Sequence, residues 1–203
     1  MAIQLKRYNK EYQCKDPTKK PCVVLLVMEN RVMESVERLF SMCVGNGMLN
    51  YSEDEAINIL KNQGNLHLST DDPIDIIIKF KPNLSVDTSY LYTLTEDLED
   101  DGYEVICVIQ DYMKRIRSVD GMFGGDIRLQ LGSVVNEFKT FATLKNIPVI
   151  TASQLNRTAT SSVDEARIKN KADLVRLIGR ANVGESNLIL ENSDWICLIA
   201  PEY

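Results

Sequence analysis

Apolar residues fall along this chain in two alternating patterns. Short continuous runs rich in β-branched residues predict strands buried on both faces, and longer stretches with apolar positions three and four apart predict helices. Cys22-Val-Val-Leu-Leu-Val-Met28 is the first run, followed by Asp75–Phe80, Glu104–Asp111, Pro148–Ser153 and Trp195–Ile199. Between them the spacing predicts helices over Val32–Val44, Ser52–Asn62, Ser89–Asp101 and Ile127–Lys145. The last is long and amphipathic, with Leu131, Val134, Val135, Phe138, Phe141 and Ala142 on its apolar face. Met1–Gln13 reads as the tail of a helix with no capping residue, and Cys14–Pro21 as a polar linker. Punctuation supports these bounds. Asn30 is placed to cap one helix, Ser52 and Glu55 have capping-box spacing, and Gly102 follows the Ser89–Asp101 segment. Gly121, Gly124 and Gly125 mark a loop between Met113 and Asp126, and Arg157–Glu185 is polar and basic with little apolar period.

Helices alternating with buried strands predict an α/β fold with a mainly parallel sheet. The chain has 203 residues, 44% hydrophobic and 26% charged, which fits one domain spanning 1–203 and excludes collagen-like and wholly disordered classes. There is no bilayer-length apolar run and no secretory signal, so a cytoplasmic protein is expected, with no membrane partner. A net charge of -6 argues against a surface coated in nucleic acid but allows a local basic groove. The five cysteines have no CxxC pair and there is one histidine, so reduced thiols are expected and a mixed Cys/His zinc site is not. Cys107 and Cys197 lie in apolar runs that read as strands, and Trp195 is expected in the core.

In parallel α/β sheets chemistry gathers at the carboxyl ends of the strands. Those ends carry Glu29, Asp111 and Gln154. An aspartate there can hold Mg²⁺ through one carboxylate and bound waters. A neighbouring glutamate can orient and deprotonate a water, and a glutamine can read a terminal phosphate because its amide both donates and accepts. Each alone reads first as a polar strand end facing solvent; three in this order along one chain favour function.

The motifs around these residues resemble those of DnaB-type replicative helicases. Val-Ile-Cys-Val-Ile-Gln-Asp-Tyr-Met113 looks like a Walker B strand. Ile-Pro-Val-Ile-Thr-Ala-Ser-Gln-Leu-Asn-Arg157 looks like the family's Ser-Gln-Leu-x-Arg element, the most specific piece. Val-Val-Leu-Leu-Val-Met-Glu-Asn30 is similar to the strand ending Ser-Leu-Glu-Met. Glu185-Ser186, Glu191–Asp194 and Pro201–Tyr203 follow the family's order. The divergence elsewhere resembles a phage helicase more than a bacterial housekeeping one, which would place the protein in a host cytoplasm.

The resemblance implies a RecA-like P-loop NTPase core that couples ATP hydrolysis, with Mg²⁺, to movement along single-stranded DNA as a homo-hexamer, with a primase or helicase loader as further partner. Glu29 then matches the glutamate that activates water, Asp111 the Mg²⁺-binding Walker B aspartate, and Gln154 the γ-phosphate sensor. The family's DNA-facing loops correspond to segments that here carry Arg115 and Arg117, then Arg157, Lys169, Lys171 and Arg180. Phosphate contacts from such cations would be sequence-independent and salt-sensitive; a solvated polar loop is the plainer reading of the same charges. The second segment has no interleaved aromatics, so base stacking is not supported there.

The sequence departs from the pattern in having no Gly-x-x-x-x-Gly-Lys-Ser/Thr, the loop that cradles phosphates, and the family's arginine finger would fall past Tyr203. The expectation is therefore a core truncated at both ends that alone binds ATP weakly, does not hydrolyse it, and is monomeric or weakly oligomeric. A RecA/RadA-type recombinase core and a non-catalytic DNA-binding or ring-docking module stay as alternatives.

Overall fold

The computed structural model describes residues 1–9, 11–44, 51–52, 55, 74–121, 126–154 and 187–197. Its centre is a parallel four-stranded sheet in the order β2-β1-β3-β4. The strands are β1 (Lys20–Val27), β2 (Asp75–Phe80), β3 (Tyr103–Asp111) and β4 (Val149–Thr151). Among the described residues the helices are α1 (Ala2–Tyr8), α2 (Val32–Val44), α3 (Tyr90–Asp100), α4 (Ile127–Lys145) and α5 (Asn187–Asn192). The α/β class and parallel sheet expected from the alternation are what the chain adopts.

β1 shows why a continuous apolar run becomes a strand. It pairs on both sides, Val24 with Ile77 of β2 and with Val108 of β3. Its side chains alternate between two cores. Cys22, Val24 and Leu26 join the larger one, with Leu91, Leu94 and Leu98 of α3 and Leu131, Val134, Phe138 and Phe141 of α4. Val23 joins the smaller one on the opposite face, with Ala2 of α1, Ile74 and Cys107. Burial on both faces leaves no polar alternation to read.

The helix ends follow local chemistry. Asp126 caps α4, its Oδ1 accepting from the Arg128 N–H at 2.9 Å. Asn146 ends α4 in the left-handed region at φ 54°, and its N–H bonds back to the Ala142 carbonyl. Gly102 holds φ +87°, as the turn from α3 into β3 requires. Gly132 serves packing instead: a Cβ there would lie 2.3 Å from Leu188 Cδ1 and 3.1 Å from its Cβ, so α5 seats closely on α4. The capping box is present, Ser52 N–H donating to Glu55 at 2.8 Å and Glu55 N–H to Ser52 Oγ at 3.2 Å, whereas the rest of the Ser52–Asn62 helix lies outside the described residues. The acidic end of α3 has a partner in the last turn of α4, where Lys145 Nζ lies 3.1 Å from Glu96.

Several expectations need correction. β4 is shorter than Pro148–Ser153, and α1 ends at Tyr8 rather than Gln13. Trp195 is 81% exposed instead of buried, Cys197 is exposed, and residues 195–197 form no strand. An apolar run becomes a strand only where a neighbouring edge takes up its backbone groups. Here the preceding α5 packs on α4, and the chain leaves it with Ser193 Oγ bonded back to the Ile189 carbonyl and Asp194 ion-paired to Lys139. The Asn30 amide lies within reach of the Arg38 and Glu34 side chains. No helix among the described residues is long and apolar enough to cross a membrane.

Candidate functional site

The register of the sheet assembles one polar edge. Val27 pairs with Asp111, so Glu29 leaves β1 two residues beyond the partner of the last β3 residue. Gln110 pairs with Thr151, so Gln154 leaves the same edge from β4, one strand further on. Backbone bonds continue past the strands: Met28 N–H donates to the Asp111 carbonyl at 3.2 Å, and Met113 N–H to the Ala152 carbonyl at 3.4 Å. Glu29, Asp111 and Gln154 thus stand at the carboxyl ends of three adjacent parallel strands.

Asp111 is half-buried, and no described residue donates to its carboxylate. The peptide joining it to Tyr112 is cis. No cluster of three metal-ligating side chains occurs among the described residues. Asp111 could hold a divalent ion through its one carboxylate, with waters completing the shell. That donor set suits Mg²⁺, which dehydrates reluctantly and is commonly held by one or two carboxylates with substrate phosphates. Gln154 is exposed beyond β4.

Glu29 is engaged. Its Oε1 accepts from Arg115 Nη2 at 2.8 Å, with the two side chains 47% and 29% exposed. Arg115 lies on the single 3₁₀ turn Met113–Arg115 that follows β3. Its guanidinium stands 5.1 Å from the centroid of the Tyr112 ring. Its backbone is pinned at both ends, the N–H to the Tyr112 carbonyl at 2.9 Å and the carbonyl accepting from Leu84 N–H at 2.8 Å. Arg117 is exposed, and its backbone bridges to the Asp87 segment through Val86 and Thr88. The other expected DNA contacts, Arg157, Lys169, Lys171 and Arg180, lie outside the described residues.

Two supporting elements escaped the sequence reading. Gln110 is 1% exposed and spans the edge beneath Asp111: its amide accepts from Thr151 Oγ1 at 2.8 Å and donates to the Tyr112 carbonyl at 2.9 Å. A glutamine inside an otherwise apolar strand was its signal, because a buried amide must find partners. Glu137 of α4 gathers the loop after the 3₁₀ turn. Its carboxylate accepts from the hydroxyls of Thr88, Ser118 and Ser133 and from Val119 N–H. Nothing in the sequence marks Glu137 apart from other polar positions on an amphipathic helix.

A cavity of about 450 Å³ lies at the opposite, amino end of the strands, lined by Tyr12, Lys15, Lys19, Glu104 and Lys145 among others. Part of its polar lining is internally paired. Tyr12 and the Lys15 N–H both donate to Glu104, which helps push the Tyr12 hydroxyl up to about 12. The carboxyl edge is the better candidate, since it places unanswered and exchangeable polar groups together at the end of the sheet where parallel folds bind ligands.

A family model described as divergent DnaB-like ATPases matches residues 1–194. Among solved structures, one ATPase domain is similar at 18% identity and TM-score 0.55, the match covering 86% of this chain and 57% of that domain's chain. A DnaB-like replicative helicase, solved to show its interactions with primase, is similar at 19% identity and TM-score 0.50. That match covers 69% of this chain and 34% of the helicase. No curated protein matches. At these identities the structures speak for the fold alone, which this chain shares with those domains.

Proposed function

Because this chain belongs to the divergent DnaB-like ATPase family, we propose that it is the nucleotide-hydrolysing core of a replicative-type DNA helicase. In this reading ATP with Mg²⁺ drives movement along single-stranded DNA, in a ring of six copies, with a primase or loader docking on it. The observation that carries the reading is the placement of Glu29, Asp111 and Gln154 on three neighbouring strand ends. Asp111 would hold the ion opposite the phosphates. Glu29 would take the proton of the attacking water once its carboxylate is released from Arg115, and Gln154 would contact the terminal phosphate. Arg115, Arg117, Arg157, Lys169, Lys171 and Arg180 would meet DNA phosphates.

The 203 residues include no Gly-x-x-x-x-Gly-Lys-Ser/Thr. By themselves they should bind ATP weakly and turn it over no faster than background. A second reading is a non-catalytic module that docks on a ring or on DNA. One experiment separates the two. ATP-driven unwinding of a forked duplex by the protein purified from its source should be lost in Asp111→Asn and in Glu29→Gln. Unwinding unaffected by both substitutions would refute the roles of Glu29 and Asp111, and no nucleotide-dependent activity in any preparation would leave the docking module. Turnover by the 203-residue chain that Asp111→Asn abolishes would overturn the expectation that this chain is inactive alone.

A further inference from the structure

Resting on the proposed roles of Glu29 and of the loop after β3, we infer that Arg115 is a positioning residue that couples DNA to Glu29: a DNA phosphate and the Glu29 carboxylate compete for the same guanidinium. Three observations carry this. First, the 2.8 Å pair joins a strand-end carboxylate to a loop cation, so the group proposed to meet water and the group proposed to meet DNA are each other's partner. Second, the Arg115 backbone is fixed to Tyr112 and Leu84, so an exchange of partners is a movement of the side chain alone. Third, the guanidinium is only partly used. Among the described residues its Nε is buried without a hydrogen-bond partner, while its face lies over Tyr112.

Arginine presents five N–H donors in a planar fork that matches a phosphate bidentately, and stacking on an aromatic ring keeps that plane oriented. A carboxylate held at one end of the fork is therefore a replaceable ligand. Both partners are partly exposed, so the pair is weak enough to exchange. While the pair holds, Arg115 takes one acceptor site of Glu29 and fixes the carboxylate in the orientation of that pair. A phosphodiester that takes Arg115 releases it. The coupling is reciprocal: whatever draws Glu29 away, such as a bound nucleotide and its water, makes Arg115 a better DNA ligand.

The test is a double-mutant cycle read as affinity for a fluorescent oligo-dT strand, with the 203-residue chain, at fixed low salt. Glu29→Gln should tighten binding about two- to fivefold, the fold-change corresponding to the loss of a partly exposed pair. In the Arg115→Ala background the same substitution should do no more than Glu34→Gln, an exposed charge on α2 that measures the general effect of removing one carboxylate. The Arg115 Nε–Hε resonance of ¹⁵N-labelled protein should move on adding DNA and on making Glu29→Gln. Circular dichroism checks that every variant is folded, and Arg115→Lys replaces the alanine variant if that one is not.

Equal tightening by Glu29→Gln with and without Arg115, or none in the wild-type background, overturns the coupling while wild-type binding leaves the DNA reading standing. No binding of DNA by the wild type and by Glu29→Gln overturns both. An unwinding assay that fails while the cycle succeeds overturns the catalytic reading and keeps the competition for Arg115.

Discussion

Replacing Glu137 by alanine removes the acceptor on which four donors converge, and the consequence can be sized. Ser118 Oγ and Ser133 Oγ reach Oε1 at 2.6 and 3.0 Å, Val119 N–H reaches Oε2 at 3.2 Å, and the Thr88 hydroxyl completes the set. Thr88 and Ser118 are each 3% exposed, so water cannot replace the carboxylate for them, but Ser118 keeps Ser133 Oγ at 3.0 Å as an acceptor and only Thr88 loses its side-chain partner outright. Each buried donor left without a partner costs about 1–3 kcal/mol. Ser133 and Val119 can turn to solvent and add little. The expected loss is about 1–3 kcal/mol, read as a shift of the urea midpoint at constant slope. Glu137→Gln should lose about half as much, because the hydroxyls can accept from the new amide but the Val119 N–H cannot. The loop carrying Arg117 is held through Ser118 and Val119, so DNA affinity should fall in the same variants. A loss for Glu137→Ala below about 0.5 kcal/mol, the range of an ordinary surface change, would refute the view that this carboxylate organises the loop.

Further outcomes follow from the core, the α4–α5 contact and the thiols. Phe141 is 1% exposed and meets the Tyr92 ring edge-on at 5.0 Å, so Phe141→Ala should lose about 3–5 kcal/mol in denaturant unfolding. Gly132→Ala gains up to about 1 kcal/mol in helix propensity but forces Leu188 outward, so we expect net destabilisation and faster amide exchange in α5. Burial, with Asp75 and Cys14 adding to it, pushes the Cys22 thiol from 9.0 up to about 12, and burial raises Cys107 to about 11. Above pH 9 the unfolded chain therefore releases protons that the folded chain keeps. The stability these thiols contribute is whole below that pH and is lost as pH rises towards 11–12, a decline that Cys107→Ala should make shallower in thermal melts. Iodoacetamide should reach the exposed Cys197 in native protein, and Cys22 and Cys107 only after unfolding.

What the sequence made legible follows from where the information is local. The bounds of α2, β2 and α4 came out as read, because each is set by periodicity and by residues within or beside the element. The order of Glu29, Asp111 and Gln154 along an alternating chain was enough to place them on one edge, since parallel strands send their carboxyl ends the same way. The Glu29–Arg115 pair was not legible: it joins residues 86 positions apart, and a charge on a loop does not name its partner. Trp195 failed for a related reason. Its run has the composition of a strand, but pairing depends on a distant edge that composition does not report. Glu137 was hidden because its three hydroxyl partners come from separate parts of the chain.

The central claim is that the carboxyl edge of this sheet is a Mg²⁺–nucleotide site centred on Asp111. The most direct measurement is paramagnetic broadening of backbone amide resonances by Mn²⁺ with ATP, Mn²⁺ standing in for Mg²⁺. Broadening centred on Met28, Glu29 and Asp111–Met113 that disappears in Asp111→Asn is expected. Broadening centred instead on the amino-end cavity around Lys15, Lys19 and Glu104, or unchanged by Asp111→Asn, would contradict it.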